Sequence, residues 1–218
     1  MKYSLLRYLL LTVIAAFALS GQAFAQHDKQ IWNEVAIEHP VSDKVTLSLK
    51  TNYRLGDDVS HIVLWNLNPA VAIKVARFLT VTPAYIFQVQ EYNKFPRTAE
   101  HRFLVDVTPN FEIKGFHFAD RNRFEHRNIN GFGSHRYRNQ LRIEHPIKDV
   151  TLIQSVFASS EIVYDSRIHS FNRTRETLGA GRKFNDHFSL DVYLLYQGDS
   201  LGRPHDIFAL GTSLRIKL

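Results

Sequence analysis

The stretch Phe208-Ala209-Leu210-Gly211-Thr212-Ser213-Leu214-Arg215-Ile216-Lys217-Leu218 decides the fold. Side chains of a strand alternate between two faces. On that period Phe208, Leu210, Thr212, Leu214, Ile216 and Leu218 share one face. Ala209, Gly211, Ser213, Arg215 and Lys217 share the other. One face suits hydrocarbon and the other suits water. The run extends back to Asp206, longer than the usual globular strand of about five or six residues and long enough to cross a bilayer at a tilt.

Working outward from this strand, the same period recurs through the chain, over 31–39, 45–54, 62–75, 79–90, 101–112, two arginine-rich segments within 121–144, 151–164, 171–183 and 188–197. No segment has a helical period. The expected fold is all-β: an antiparallel up-and-down transmembrane β-barrel of about ten to twelve strands, occupying residues 26–218. Bacterial single-chain barrels have even strand numbers, so ten or twelve is favoured over eleven. The segments themselves count to eleven, with short turns after the odd ones and longer loops after the even ones. Pro69, Pro83 and Pro109 fall inside strands, where each removes a ladder hydrogen bond, and bulges are expected there. The turn sequence 37–47 recurs at 143–152, Ile-Glu-His-Pro in both, as a repeated hairpin unit would.

Residues 1–25 read as a secretory signal: Lys2 and Arg7, an apolar run over 9–19, then Ala23-Phe24-Ala25 as a small-x-small cleavage site. This predicts export, to the outer membrane of a Gram-negative bacterium. The chain has no cysteine, which excludes a disulfide scaffold and a lipoprotein anchor. The net charge of +6 falls to about +4 without Lys2 and Arg7. An exported chain rarely meets nucleic acid, so the expected partners are outer-membrane lipids, lipopolysaccharide, the barrel-assembly machinery and small anionic solutes.

The candidate site is the pair of arginine strands. Arg121, Arg123, Glu125 and Arg127 share one face of the first; Arg136, Arg138, Arg142 and Glu144 share one face of the second. Glu161 and Arg175 take inward positions further on. In a barrel of this size these ten residues line a narrow lumen. Two readings follow: an anion-preferring pore set by a basic ring, or a salt-bridged structural barrel in which carboxylates satisfy the arginines. Two alternatives invert or add to this. One is a soluble exported barrel that binds an apolar ligand and keeps its arginines outside. The other is an outer-membrane lipid-modifying enzyme, for which His205, Asp206 and Ser213 supply residue types without a nucleophile elbow. The expectation is no enzyme, no cofactor and no metal: the eleven histidines are scattered and none has helical zinc-ligand spacing. Trp32, Tyr53, Trp65, Tyr85, Phe116, Phe118, Tyr164 and Tyr196 are expected in aromatic girdles.

Three features carry a resemblance. They are the strand with Trp32 and its Ser-Asp-Lys turn, the paired Arg-x-Arg-Phe-Glu-x-Arg and Arg-Tyr-Arg-Asn-x-Leu-Arg strands, and Ser160-Glu161 followed by Phe171-Asn172-x-x-Arg175. Together they resemble a bacterial envelope family known only as a domain of unknown function and taken to be outer-membrane β-barrels. The resemblance implies a fold and a place, and no catalytic residue. Outer-membrane barrels commonly end in Phe or Trp; this chain ends in Leu218.

Overall fold

The computed structural model describes residues 27–92, 96–147, 152–201 and 206–218. The signal-peptide reading and His205 lie outside them, as does part of the second turn repeat. Eleven strands form one closed barrel: β1 (His27–Pro40), β2 (Val45–Gly56), β3 (His61–Ala76), β4 (Leu79–Gln90), β5 (Thr98–Ile113), β6 (Phe116–Ile129), β7 (Phe132–Pro146), β8 (Ser155–Asp165), β9 (Ser170–Lys183), β10 (Phe188–Asp199) and β11 (Asp206–Lys217). Each strand pairs antiparallel with its sequence neighbour, and the barrel closes through β1 and β11.

The even strand count expected from sequence is corrected to eleven. An up-and-down chain with an odd number of strands brings its first and last strands together in the same direction. The closing seam is therefore parallel, running from His27↔Asp206 to Glu38↔Lys217. Such a seam has evenly spaced, slanted bonds that are slightly weaker per residue than antiparallel ones. It also places the start of β1 and the end of β11 at opposite rims.

Local sequence explains the turns. Lys114-Gly115 and Asn130-Gly131 all have positive φ, the geometry of a two-residue hairpin whose twist matches that of its strands. The bulges expected at prolines are not found there. The β3–β4 register runs unshifted past Pro69 and Pro83, but partner pairs at 68, 69, 71 and 72 are missing. The prolines thus interrupt the ladder without inserting a residue. The bulges fall elsewhere, at Arg54/Leu55, Lys74/Ala76 and Val163/Tyr164. The first turns Val63 inside, where it is fully buried. Gly56 lies beside it: a Cβ there would stand 2.7 Å from Val63 Cγ2.

The outer wall is mostly apolar and exposed: Leu49, Leu67, Phe103, Phe124, Val192 and Leu210 all point outward. Aromatic pairs ring one rim, with Trp65–Phe87, Tyr85–Phe103, Phe124–Tyr137, Tyr164–Phe171 and Tyr196–Phe208 centroids 5.0–5.6 Å apart. Phe111–Phe118 and Phe116–His145 contribute at the other rim. Two such girdles bounding an apolar band are the outer surface of a membrane barrel. Trp32 is the exception to the girdle expectation. Its neighbours Gln30 and Glu34 on the same face point inward, and Trp32 goes with them into a buried cluster with Leu195, Ile207 and Ala209.

Candidate functional site: an arginine-lined lumen

All the arginines of β6 and β7 that alternation assigns to one face point into the barrel, so the inverted soluble reading, with arginines outside, is corrected. Arg123 and Arg138 stand directly opposite each other in the ladder. Two like charges in that position repel. Each is drawn instead to a carboxylate on a further strand. Arg123 makes a bidentate pair with Asp106 of β5, Nε to Oδ1 at 2.7 Å and Nη2 to Oδ2 at 2.8 Å. Arg138 Nη2 donates to both oxygens of Glu161 on β8, at 2.8 and 2.7 Å. Bidentate guanidinium–carboxylate pairs are the strong, directional form of the ion pair.

Two glutamates are the hubs. Glu161, with a side chain only 1 % exposed, is held by Arg121 at 2.7 Å, Arg138 at 2.7 Å and Arg175 at 3.1 Å. Glu125, fully enclosed, lies 2.5 Å from Arg136, 3.4 Å from Arg138 and 3.7 Å from Arg102. Longer links cross the lumen. Arg127 of β6 joins Glu100 on β5 to Asp165 at the end of β8, the latter at 3.1 Å. Arg142 of β7 pairs with Glu144 at 2.8 Å and reaches Asp191 of β10 at 3.2 Å, its guanidinium 3.5 Å over the Phe157 ring. Eight of the ten residues named from sequence are thus brought into one network, while Arg142 and Glu144 form a separate cluster with Asp191. In the turn after β8, the hydrogen bond to Asp165 holds the Arg167 guanidinium above its ordinary value.

Sequence reasoning missed Glu100, Asp165, Asp199 and Arg167. Glu100 sits just before the segment boundary drawn at 101, and the other three fall in stretches read as loops. Extending the alternation of each strand by one or two residues would have found all but Arg167.

Inside this wall lies a cavity of about 740 Å³. Thirteen basic and six acidic side chains line it. Asp106, Glu125, Glu144 and Glu38 pair with lining arginines and bring the acids to ten, leaving an excess of three positive charges among the described residues. The excess is local. Arg54 lies 3.5 Å over the Trp32 ring and Arg175 5.3 Å from the same ring. The indole is fixed by its Nε1–H donating to Gln30 Oε1 at 2.5 Å. Two cations thus share one indole. Neither Arg54 nor Lys50 has an ion pair among the described residues.

Of the catalytic types noted in the sequence, the two among the described residues do not come together. Ser213 faces the lumen and donates to Glu34 Oε1 at 3.1 Å, while Asp206 contacts His27 at the rim, at 3.2 Å.

An arginine-braced lumen within an apolar, aromatic-girdled wall defines an outer-membrane-type β-barrel. Within that class the chain belongs to DUF2490, a family of proteins of unknown function whose profile matches residues 29–205. No curated protein matches it by sequence. Among solved structures it is similar to LpxR from Salmonella typhimurium, with 10% identity and a TM-score of 0.49, over 79% of this chain and 83% of that one. It is also similar to the siderophore receptor PirA from Pseudomonas aeruginosa, with 12% identity and a TM-score of 0.30, over 75% of this chain and 34% of that one. At these values the likenesses concern the barrel architecture alone. The expectation of no enzyme is withdrawn, since a barrel architecture by itself excludes no activity.

Proposed function

We propose that this protein is an outer-membrane barrel whose carboxylate-braced interior admits and holds small anions. The observation that carries the reading is the position of Arg54 and Lys50: cations on the cavity wall with no carboxylate partner among the described residues. Unpaired cations in a narrow, water-filled lumen attract anions and set selectivity. The arginines of β6 and β7 have a different task in this reading. Their charge is consumed by Glu125, Glu161 and Asp106, and they hold the wall open at a fixed diameter. Export through the signal at 1–25, insertion by the assembly machinery and contact with lipopolysaccharide belong to the same proposal.

Purified protein in planar bilayers is expected to conduct with anion preference. Arg54→Gln together with Lys50→Gln should shift the reversal potential in a salt gradient towards the non-selective value. Arg77→Gln, in the β3–β4 turn, should leave it unchanged. Absence of any conductance from folded protein would sink the pore reading and leave a structural barrel.

A second reading rests on the outer wall. Near the girdled rim, Tyr85 Oη lies 2.5 Å from His101 Nδ1, and the His126 and His135 ring centroids are 4.9 Å apart with their planes tilted at 51°. His101 and His126 border a groove of about 480 Å³ beside Phe103. Titratable groups at a lipid-facing groove suit a lipid-modifying activity. Mass spectrometry of lipid A and phospholipids from cells with and without the protein decides it. Unchanged lipid species on overproduction would remove this reading.

A further inference from the structure

Among the described residues the apolar outer wall is broken by a carboxylate-bearing region, besides the neutral pair Asn33 and Thr212 at the closing seam. On β6 to β9 the outward positions near the middle of each strand are polar: Asp120 and Asn122, then Asn139, Ser160 and Glu176. They fall in two ladder pairs set diagonally, Asn122 with Asn139 and Ser160 with Glu176, while across β7–β8 Asn139 faces Ile162 and Ser160 faces Leu141. The patch is organised. Asn139 Nδ2 donates to Asp120 Oδ1 at 2.6 Å, Asn122 Nδ2 to Asp120 Oδ2 at 3.2 Å, and Tyr137 Oη to Asn122 Oδ1 at 2.6 Å. Ser160 Oγ donates to Glu176 Oε1 at 2.9 Å. None of these side chains reaches the lumen, whose ion pairs use the alternate residues of the same strands.

We propose that this patch is the interface between two copies of the barrel, packed side by side with β8 at the centre. The inference takes the wall as lipid-facing and is independent of what the lumen carries. Hydrocarbon offers no hydrogen-bonding group, so carboxylates on a lipid-facing wall call for a polar partner at the same depth. A second copy, inserted in the same orientation about a two-fold axis along the membrane normal, meets that condition by construction. The chemistry is self-complementary. The patch holds amide and hydroxyl donors as well as carboxylate acceptors. With the axis along β8, Glu176 of one copy faces the Asn139 side of the other instead of its own counterpart. Close approach is also possible, since the outward residues around the axis include Ala158, Ser160 and Ala180. Small residues with polar ones among them are the pattern of membrane-embedded protein interfaces.

The chain has no cysteine, which makes the test clean. Ala158→Cys protein in detergent micelles or liposomes should form a disulfide-linked dimer on mild oxidation, whereas Leu49→Cys, on the outer face of β2, should not. The untagged protein should run as a dimer in light scattering. Glu176→Leu with Asn139→Leu should raise its dissociation constant at least tenfold while heat-modifiable gel migration, the mark of a folded barrel, is kept. A strictly monomeric folded protein overturns the proposal. So does equal cross-linking at positions 158 and 49, or cross-linking of Ala158→Cys in cells only to a different protein.

Discussion

Replacing Glu161 by leucine should prevent the barrel from folding stably. Three arginines share this carboxylate, all within 3.1 Å, and it is almost completely enclosed. The substitution leaves Arg121, Arg138 and Arg175 facing one another with their countercharge gone. Removing one member of a buried ion pair costs about 3–5 kcal/mol, because the partner is left charged and unpaired. A shared hub stands at the upper end of that range. The measurement is urea unfolding in detergent micelles, or the temperature at which heat-modifiable gel migration is lost. Glu144→Gln is the internal contrast. Glu144 also pairs with an arginine, at 2.8 Å, but its side chain is 34 % exposed at the rim. Its loss should cost under about 1 kcal/mol, the usual worth of an exposed pair. Equal effects at the two sites would show that the lumen is wet throughout and that the hub is not energetically special.

Gly211→Val should be the most damaging change away from the charged network. Gly211 pairs with Trp32 of β1 and Tyr193 of β10, on the inward face of β11. A Cβ at this position would enter the Tyr193 ring itself, and Gly179 on the other side leaves little more room, a Cβ there standing 2.8 Å from Tyr193 Cβ. The tyrosine packs against the cluster of Trp32, Leu195, Ile207 and Ala209. Forcing it away overpacks that cluster, at a cost of about 1–3 kcal/mol. It also disturbs the indole on which Arg54 rests. Tyr193→Ala in the same chain should recover part of the loss, since the added methyls then enter space the ring has vacated. The two changes should therefore be non-additive by more than about 0.5 kcal/mol. Strict additivity would mean that the ring moves aside at no cost.

Much of the lumen was legible because its signal is local. The β6 residues Arg121, Arg123, Glu125 and Arg127 occupy alternate positions, and a strand leaves them no choice but a common face. The same rule, applied to the other face, places Asp120, Asn122, Asn139 and Glu176 on the wall. They carry less charge than the arginines beside them, and no more than two fall together on the outward face of any one strand. Trp32 shows the opposite error. As an aromatic near a strand end it suits a girdle, yet its alternation with Gln30 and Glu34 turns it inward. Composition suggested one answer and periodicity, the stronger argument, gives the other. Glu100 and Asp165 were hidden for a simpler reason: strand ends are set by pairing with neighbours, which propensity does not report.

By itself, the sequence determined that the chain forms long amphipathic strands, that the class is a barrel, and that the arginines of β6 and β7 lie on the inner face. These follow from the period of two, a property of the extended backbone of each strand alone. Only the tertiary structure decided that eleven strands close, through a parallel seam, and which carboxylate meets which arginine. Arg127 finds Asp165, and Arg142 finds Asp191, across intervening strands. Such pairings depend on the register of every strand between them and on the diameter at which the barrel closes. A one-residue slip in any ladder would turn that strand's charges from lumen to lipid. The cost of such a slip holds the register, and the ion-pair network is fixed only once the whole wall is complete.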